Sequence, residues 1–117
     1  FPGKLTKLLY RRFQHFNGDL NKGFIIIPCE LIDNNGTNLK NIVLKLSKIW
    51  DLGNEFINWL ESANFFLNTL VDRVVTGYQA EEAEDIKQEF NYTDELLNTG
   101  EIFHLWVIEK HNSHPDW

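Results

Sequence analysis

Two short segments gather side chains able to do chemistry. The first, Asn68-Thr69-Leu70-Val71-Asp72-Arg73, sets an amide, a carboxylate and a guanidinium into a stretch otherwise rich in strand-forming residues. Burying such groups unpaired is costly. They therefore satisfy one another or reach out at a strand end, or they face a bound cofactor or substrate, and both readings stand. The second is a dense polar loop, Pro28-Cys29-Glu30-Leu31-Ile32-Asp33-Asn34-Asn35-Gly36, directly after the apolar run Phe24-Ile25-Ile26-Ile27. Ligands of open α/β sheets gather at the carboxyl ends of strands. If the run is a parallel strand, this loop occupies such a place; otherwise it is an ordinary turn and helix cap.

Elsewhere the residues offer less. His104, between Phe103 and Leu105, reads as a core or interface histidine before it reads as a catalytic one. Glu81, Glu82, Glu84, Asp85 and Glu89 form a solvated helix face, because one helix does not make acids converge on a metal. His111, His114 and Asp116 lie in a polar tail without the rigid support a metal site needs, so no metal site is expected. No glycine-rich dinucleotide turn, P-loop, nucleophile elbow or paired-cysteine motif is present.

The elements that must position these groups follow from periodicity. Leu5, Leu8, Leu9, Phe13 and Phe16 recur at helical intervals, and Asn17-Gly18-Asp19 ends that helix. The run 24–27 reads as a strand buried on both faces, with Cys29 at its buried end. A helix follows with Leu39, Ile42, Val43, Leu46 and Ile49 on one face, capped by Thr37 or Asn38. Beyond Asp51-Leu52-Gly53, a shorter helix carries Phe56, Ile57 and Leu60 inward. Residues 64–75 read as extended, 79–90 as a helix with Ala83, Ile86 and Phe90 inward, and 102–108 as a closing strand. This order implies an α/β layer arrangement.

Composition narrows the partners. The formal charge of −6 supplies no basic field for phosphate, so nucleic acid is not expected. No stretch approaches the ~20 apolar residues that cross a bilayer, and one cysteine makes no internal disulfide, which points to a reducing cytoplasm. The chain contains no methionine and opens on Phe1-Pro2-Gly3, so it is expected to be processed or a fragment. Oligomeric state is left open.

Four segments together resemble the mannitol dehydrogenase family, the polyol-specific long-chain dehydrogenases. They are Phe1-Pro2-Gly3-Lys4-Leu5-Thr6; Ile27 to Asp33 with Asn35-Gly36; Asn68-Thr69-Leu70-Val71-Asp72-Arg73-Val74-Val75; and Phe103-His104-Leu105-Trp106-Val107-Ile108-Glu109. The resemblance implies the later part of a Rossmann-type dinucleotide-binding domain with flanking helices, incomplete without its neighbours. Residues 1–110 would form that partial domain and its junction to a helical C-terminal domain, with 111–117 a tail. It implies NAD as cofactor and a sugar-acid or polyol substrate, while NAD and NADP are not distinguished.

By the same resemblance, Glu30, Asn35, Asn68 and Asp72 edge the cleft where nicotinamide meets substrate. Asp72 is the foremost cofactor- or substrate-proximal residue, and Arg73 holds the strand end. Leu31 stands where mannitol dehydrogenases have an asparagine that helps polarise the substrate oxygen, so that role is not carried over. The form Cys29-Glu30-Leu31-Ile32-Asp33 instead looks like the branch acting on uronate-derived sugar acids. The family's upstream glycine-rich turn and its downstream lysine, asparagine and histidine group do not occur here, so no catalytic residue is assigned. A reading from another class is a standalone, non-catalytic binding module. Hydride transfer needs a held cofactor and a proton acceptor, so the isolated chain should show no NADH oxidation above background with any keto-sugar acid; a measurable rate would overturn this expectation.

Overall fold

Pro2, with its helix-compatible φ and no amide proton to lose, sits in the first turn of α1 (Pro2–His15). Asn17 and Gly18, at φ of 51° and 72°, stop the helix, and Gly18 N–H returns to the Phe13 carbonyl at 2.9 Å. The computed structural model describes residues 1–111, which divide into two units. The first comprises Phe1–Leu70 with the stretch from Val107, and the second Val71–Trp106. The expected metal-poor tail, including His114, Asp116 and Trp117, lies outside the described residues.

In the first unit, β1 (Ile25–Ile26) is followed by α2 (Asn35–Ile49), α3 (Asn54–Ala63) and β2 (Phe65–Phe66). β1 and β2 pair in parallel, Ile25 opposite Phe65 and Ile26 opposite Phe66, with both helices in the crossover that a parallel pair requires. The core between helices and strands is Leu9, Val43, Phe56, Trp59, Leu60 and Ala63. Tyr10 meets Phe56 edge-on with ring centroids 5.1 Å apart, and Phe13 tilts against Trp59 at 5.8 Å. The indole Nε1 of Trp59 donates to the Asp19 carbonyl at 3.0 Å, so the largest buried ring carries no unmet polar atom. Thr6 and Ser47, both buried, donate to the carbonyls of Pro2 and Val43 one turn back.

Several expectations need correction. The apolar run 24–27 is half-buried, not enclosed on both faces, because β1 has one strand neighbour. Cys29 beyond it is exposed. On α2 the inward positions are Val43 and Ser47, whereas Ile42 and Ile49 are exposed. Residues 64–75 are three short strands in place of one: β2, β3 (Thr69–Asp72) and the start of β4 (Val75–Gly77).

The second unit contains β4 paired antiparallel with β5 (Thr99–Gly100), and α4 (Ala80–Phe90) between them in sequence. Glu81 and Glu82 occupy the first turn of α4, near the positive end of its dipole. Ala83 is buried and Ile86 half-buried as expected, but Phe90 is 63% exposed. The closing strand is shorter than expected, β6 (Leu105–Ile108), and leaves Ile102, Phe103 and His104 exposed, so His104 is not a core histidine. β3 and β6 are hydrogen-bonded neighbours. Within these limits the chain has the mixed α/β order anticipated, and no helix among the described residues is long and apolar enough to cross a membrane.

Gly23 shows how tightly β1 is seated. A Cβ there would overlap the backbone carbonyl of Ala63 at the end of α3, an atom that cannot swing aside. Gly23→Ala should destabilise the fold by about 3 kcal/mol, as overpacking against backbone does. Urea unfolding of the full-length protein followed by tryptophan fluorescence measures it, and an unchanged midpoint would contradict this packing.

Candidate functional site

The polar loop after β1 lies at the carboxyl end of a parallel strand, the condition under which it borders a ligand site. It forms one wall of an open groove of about 620 Å³ in the first unit, within the range of small-molecule sites. Pro2 and Leu5 of α1, Ile27 and Glu30 of the strand exit, and Asn35 and Leu39 of α2 define its character, which is apolar with a few polar groups at the strand end.

Asn35 is 3% exposed and is the first residue of α2. Its Nδ2 donates to the carbonyls of Pro28 (3.2 Å) and Glu30 (3.0 Å) and to Thr69 Oγ1 (2.9 Å). Its Oδ1 accepts from the amides of Thr69 (2.9 Å) and Gly36 (2.8 Å). Every bond this amide can make is thus spent on backbone and on Thr69. Asn35 fixes the loop, with a single edge left to line the groove.

Asn68 is spent in another way. Its Oδ1 accepts the Thr37 amide at 3.0 Å, and its Nδ2 donates to Thr37 Oγ1 at 3.2 Å. Thr37 is in the first turn of α2, so a residue 31 positions downstream caps this helix, and Asn34, at the N-cap with φ 52°, contributes no side-chain cap. Thr37 and Asn38 therefore do not cap as expected; the Asn38 side chain instead holds the Asp33 carbonyl at 2.8 Å. Asn68 also exchanges bonds with Glu109: its amide donates to Glu109 Oε2 at 2.9 Å, and its carbonyl accepts Glu109 N–H at 2.8 Å.

These bonds bear on phosphate binding. A helix N-terminus holds an anion through free amides, but those of Gly36 and Thr37 already bond Asn35 and Asn68. A Cβ on Gly36 would overlap the Leu67 carbonyl, so this glycine serves close packing against the strand. α2 accordingly provides no phosphate cradle.

Glu30 lends its carbonyl to Asn35 and leaves its side chain exposed at the groove. Leu31 is 83% exposed. Asp72 and Arg73 fall in the second unit, both exposed, and neither forms an ion pair; among the described residues the single salt bridge is Glu84 with Lys87. The guanidinium of Arg73 lies beside Gly100, next to the Val74–Glu101 backbone bond of 3.1 Å. The expected residues thus separate: Asn35 and Asn68 join through Thr37 and Thr69, Glu30 flanks them, and Asp72 and Arg73 stand in their own unit.

Sequence reasoning passed over Thr69 and Asn64. Asn64, buried at the end of α3, accepts the Phe24 amide on Oδ1 at 3.0 Å and donates to the Trp59 carbonyl at 3.2 Å. Its only signal was a polar residue between Ala63 and Phe65 in an apolar stretch. No cluster of metal-ligating side chains occurs among the described residues.

The two asparagines should differ in cost. Asn68→Ala removes an exposed cap, worth about 1 kcal/mol. Asn35→Ala strips partners from two carbonyls, two amides and the Thr69 hydroxyl at a buried position, costing about 3 kcal/mol at 1–3 per group left unsatisfied. Denaturant unfolding of both variants checks the order, and equal losses would contradict this assignment.

Comparison with known proteins bears on this geometry. The chain is 53% identical over 109 residues, 93% of its length, to altronate oxidoreductase of Shigella flexneri and to that of Escherichia coli O6:K15:H31 (strain 536 / UPEC). It spans 23% of the length of either. A crystal structure of D-sorbitol dehydrogenase in substrate-free form superposes with a TM-score of 0.77 at 26% identity, covering 98% of this chain and 23% of that one. The family model describing the mannitol dehydrogenase Rossmann domain matches residues 1–117, and the chain belongs to the mannitol dehydrogenase family.

Proposed function

We propose that this chain is part of an NAD-dependent oxidoreductase that interconverts D-altronate and D-tagaturonate by hydride transfer, and that by itself it is inactive. The observation that carries the reading is 53% identity to altronate oxidoreductases across 93% of the chain. A polyol substrate is the second reading, favoured by the likeness to D-sorbitol dehydrogenase. The lone thiol of Cys29 fits a cytoplasmic setting.

NAD fits this chain in part. The apolar groove at the carboxyl end of β1 suits the flat nicotinamide end of the cofactor or the substrate beside it. The occupied amides of α2 do not suit the diphosphate, which falls to other parts of the full-length protein. When bound, the nicotinamide accepts or delivers the hydride. Toward that step the chain's own residues contribute an apolar wall and a fixed loop carrying Glu30 at the rim. Asp72 and Arg73 remain the proposed cofactor- or substrate-proximal pair of the second unit.

The test is NADH oxidation by the full-length enzyme with tagaturonate, fructuronate and fructose in parallel. Tagaturonate should be reduced fastest, and Asp72→Ala should lower kcat/KM at least ~10-fold, the loss of one charge-assisted contact, with an unchanged melting temperature. Activity on fructose alone would replace the sugar-acid reading with the polyol one.

A further inference from the structure

The ladder between β1 and β2 advances in steps of two residues. Phe65 N–H donates to the Phe24 carbonyl at 2.9 Å and Leu67 N–H to the Ile26 carbonyl at 3.0 Å. In that register the next rung would join Thr69 N–H to the Pro28 carbonyl. It does not form. The Thr69 amide turns to Asn35 Oδ1 at 2.9 Å, and the Pro28 carbonyl accepts from the Thr69 hydroxyl and from Asn35 Nδ2. The pair is reciprocal, since Thr69 Oγ1 also accepts from Asn35 Nδ2 at 2.9 Å. One side-chain amide and one hydroxyl therefore stand in place of a backbone rung, and the strands part there.

The loop that leaves β1 at the missing rung supplies one wall of the groove through Pro28, Cys29, Glu30 and Ile32. We propose that Thr69 is a positioning residue: its hydroxyl, paired with Asn35, holds the exit of β1 at a set distance from β3 and so fixes the groove wall that carries Glu30. Thr69 does not line the groove, so it acts through the loop and not by touching what binds. The link to binding rests on the function proposed above.

Chemistry makes the hydroxyl separable from the side chain's bulk. Thr69→Val keeps shape and strand preference but takes the second donor from the Pro28 carbonyl and an acceptor from Asn35. Thr69→Ser keeps the hydroxyl. Asn64, Phe24 and the core of Phe56, Trp59 and Leu60 are untouched by either change.

Both variants, with Thr69→Ala should valine not be accommodated, are made in the full-length enzyme and followed by peptide-resolved hydrogen exchange and steady-state kinetics. In Thr69→Val, amides of residues 29–34 should exchange at least ~10-fold faster by local opening while α3 is unchanged. KM for the keto-sugar acid or for NADH should rise at least ~5-fold with kcat within ~2-fold, the mark of lost uniform binding, and Thr69→Ser should restore both. Unchanged exchange, or serine behaving like valine, overturns the positioning role whatever the activity. Faster exchange with unmoved KM values in an active enzyme also overturns it, since the wall would then bind nothing. Faster exchange in an enzyme inactive on every substrate supports the anchoring by Thr69 and overturns the proposed function instead.

Discussion

A two-residue parallel ladder is too short to hold two strands in register, and β1 with β2 has little more than that. Side-chain amides lengthen it at both ends. Before the first rung, Asn64 accepts the Phe24 amide; after the last, Asn35 accepts the Thr69 amide. Each asparagine is buried and each is anchored by its other atom, Asn64 to the end of α3 and Asn35 to the loop after β1. The strand pair, the helix ends and the loop therefore depend on the same two residues. A cap of the same chemistry, Asn68 on Thr37, secures the start of α2 beside them.

Apolar packing supplies the driving force but not this register. Leu9, Val43, Phe56, Trp59 and Leu60 bury together whichever way a short strand slides, whereas the asparagines accept only one alignment. The polar groups taken inside are fully met, and no buried side-chain nitrogen or oxygen among the described residues lacks a partner. The first unit's interior is thus settled structurally, while Glu30 and Leu31 are left exposed on the loop after β1.

Periodicity made the helices legible. Leu5, Leu9 and Phe13 do share an inward stripe, and the glycine after Asn17 does end the helix. It misjudged burial wherever one element serves as the only cover: a continuous apolar run implies neighbours on both sides, and β1 has one. Trp59 was missed as the centre of the core because Phe56 and Leu60 already satisfied the helical spacing. Of the polar loops, the sequence located Asn35 and Asn68 by their setting, yet Thr69 bonds a partner 34 positions away and Asn68 one 31 positions away. Pairings at that separation leave no local pattern; they follow from the parallel register, which is decided only when the crossover closes.

The exposed apolar side chains follow from the same logic. Parallel strands are ordinarily covered on both faces, yet here Ile25 and Ile27 are half-buried and Leu31, Ile32, Ile42 and Ile49 are exposed. The chain spans 23% of the length of its relatives, and such surface is what a partial Rossmann domain presents where further strands and helices belong. Of these residues Ile27, Ile32 and Ile42 line the groove at the end of β1, together with Glu30 and Asn35. At the strand exit a missing backbone rung and two substituting side chains separate β1 from the start of β3.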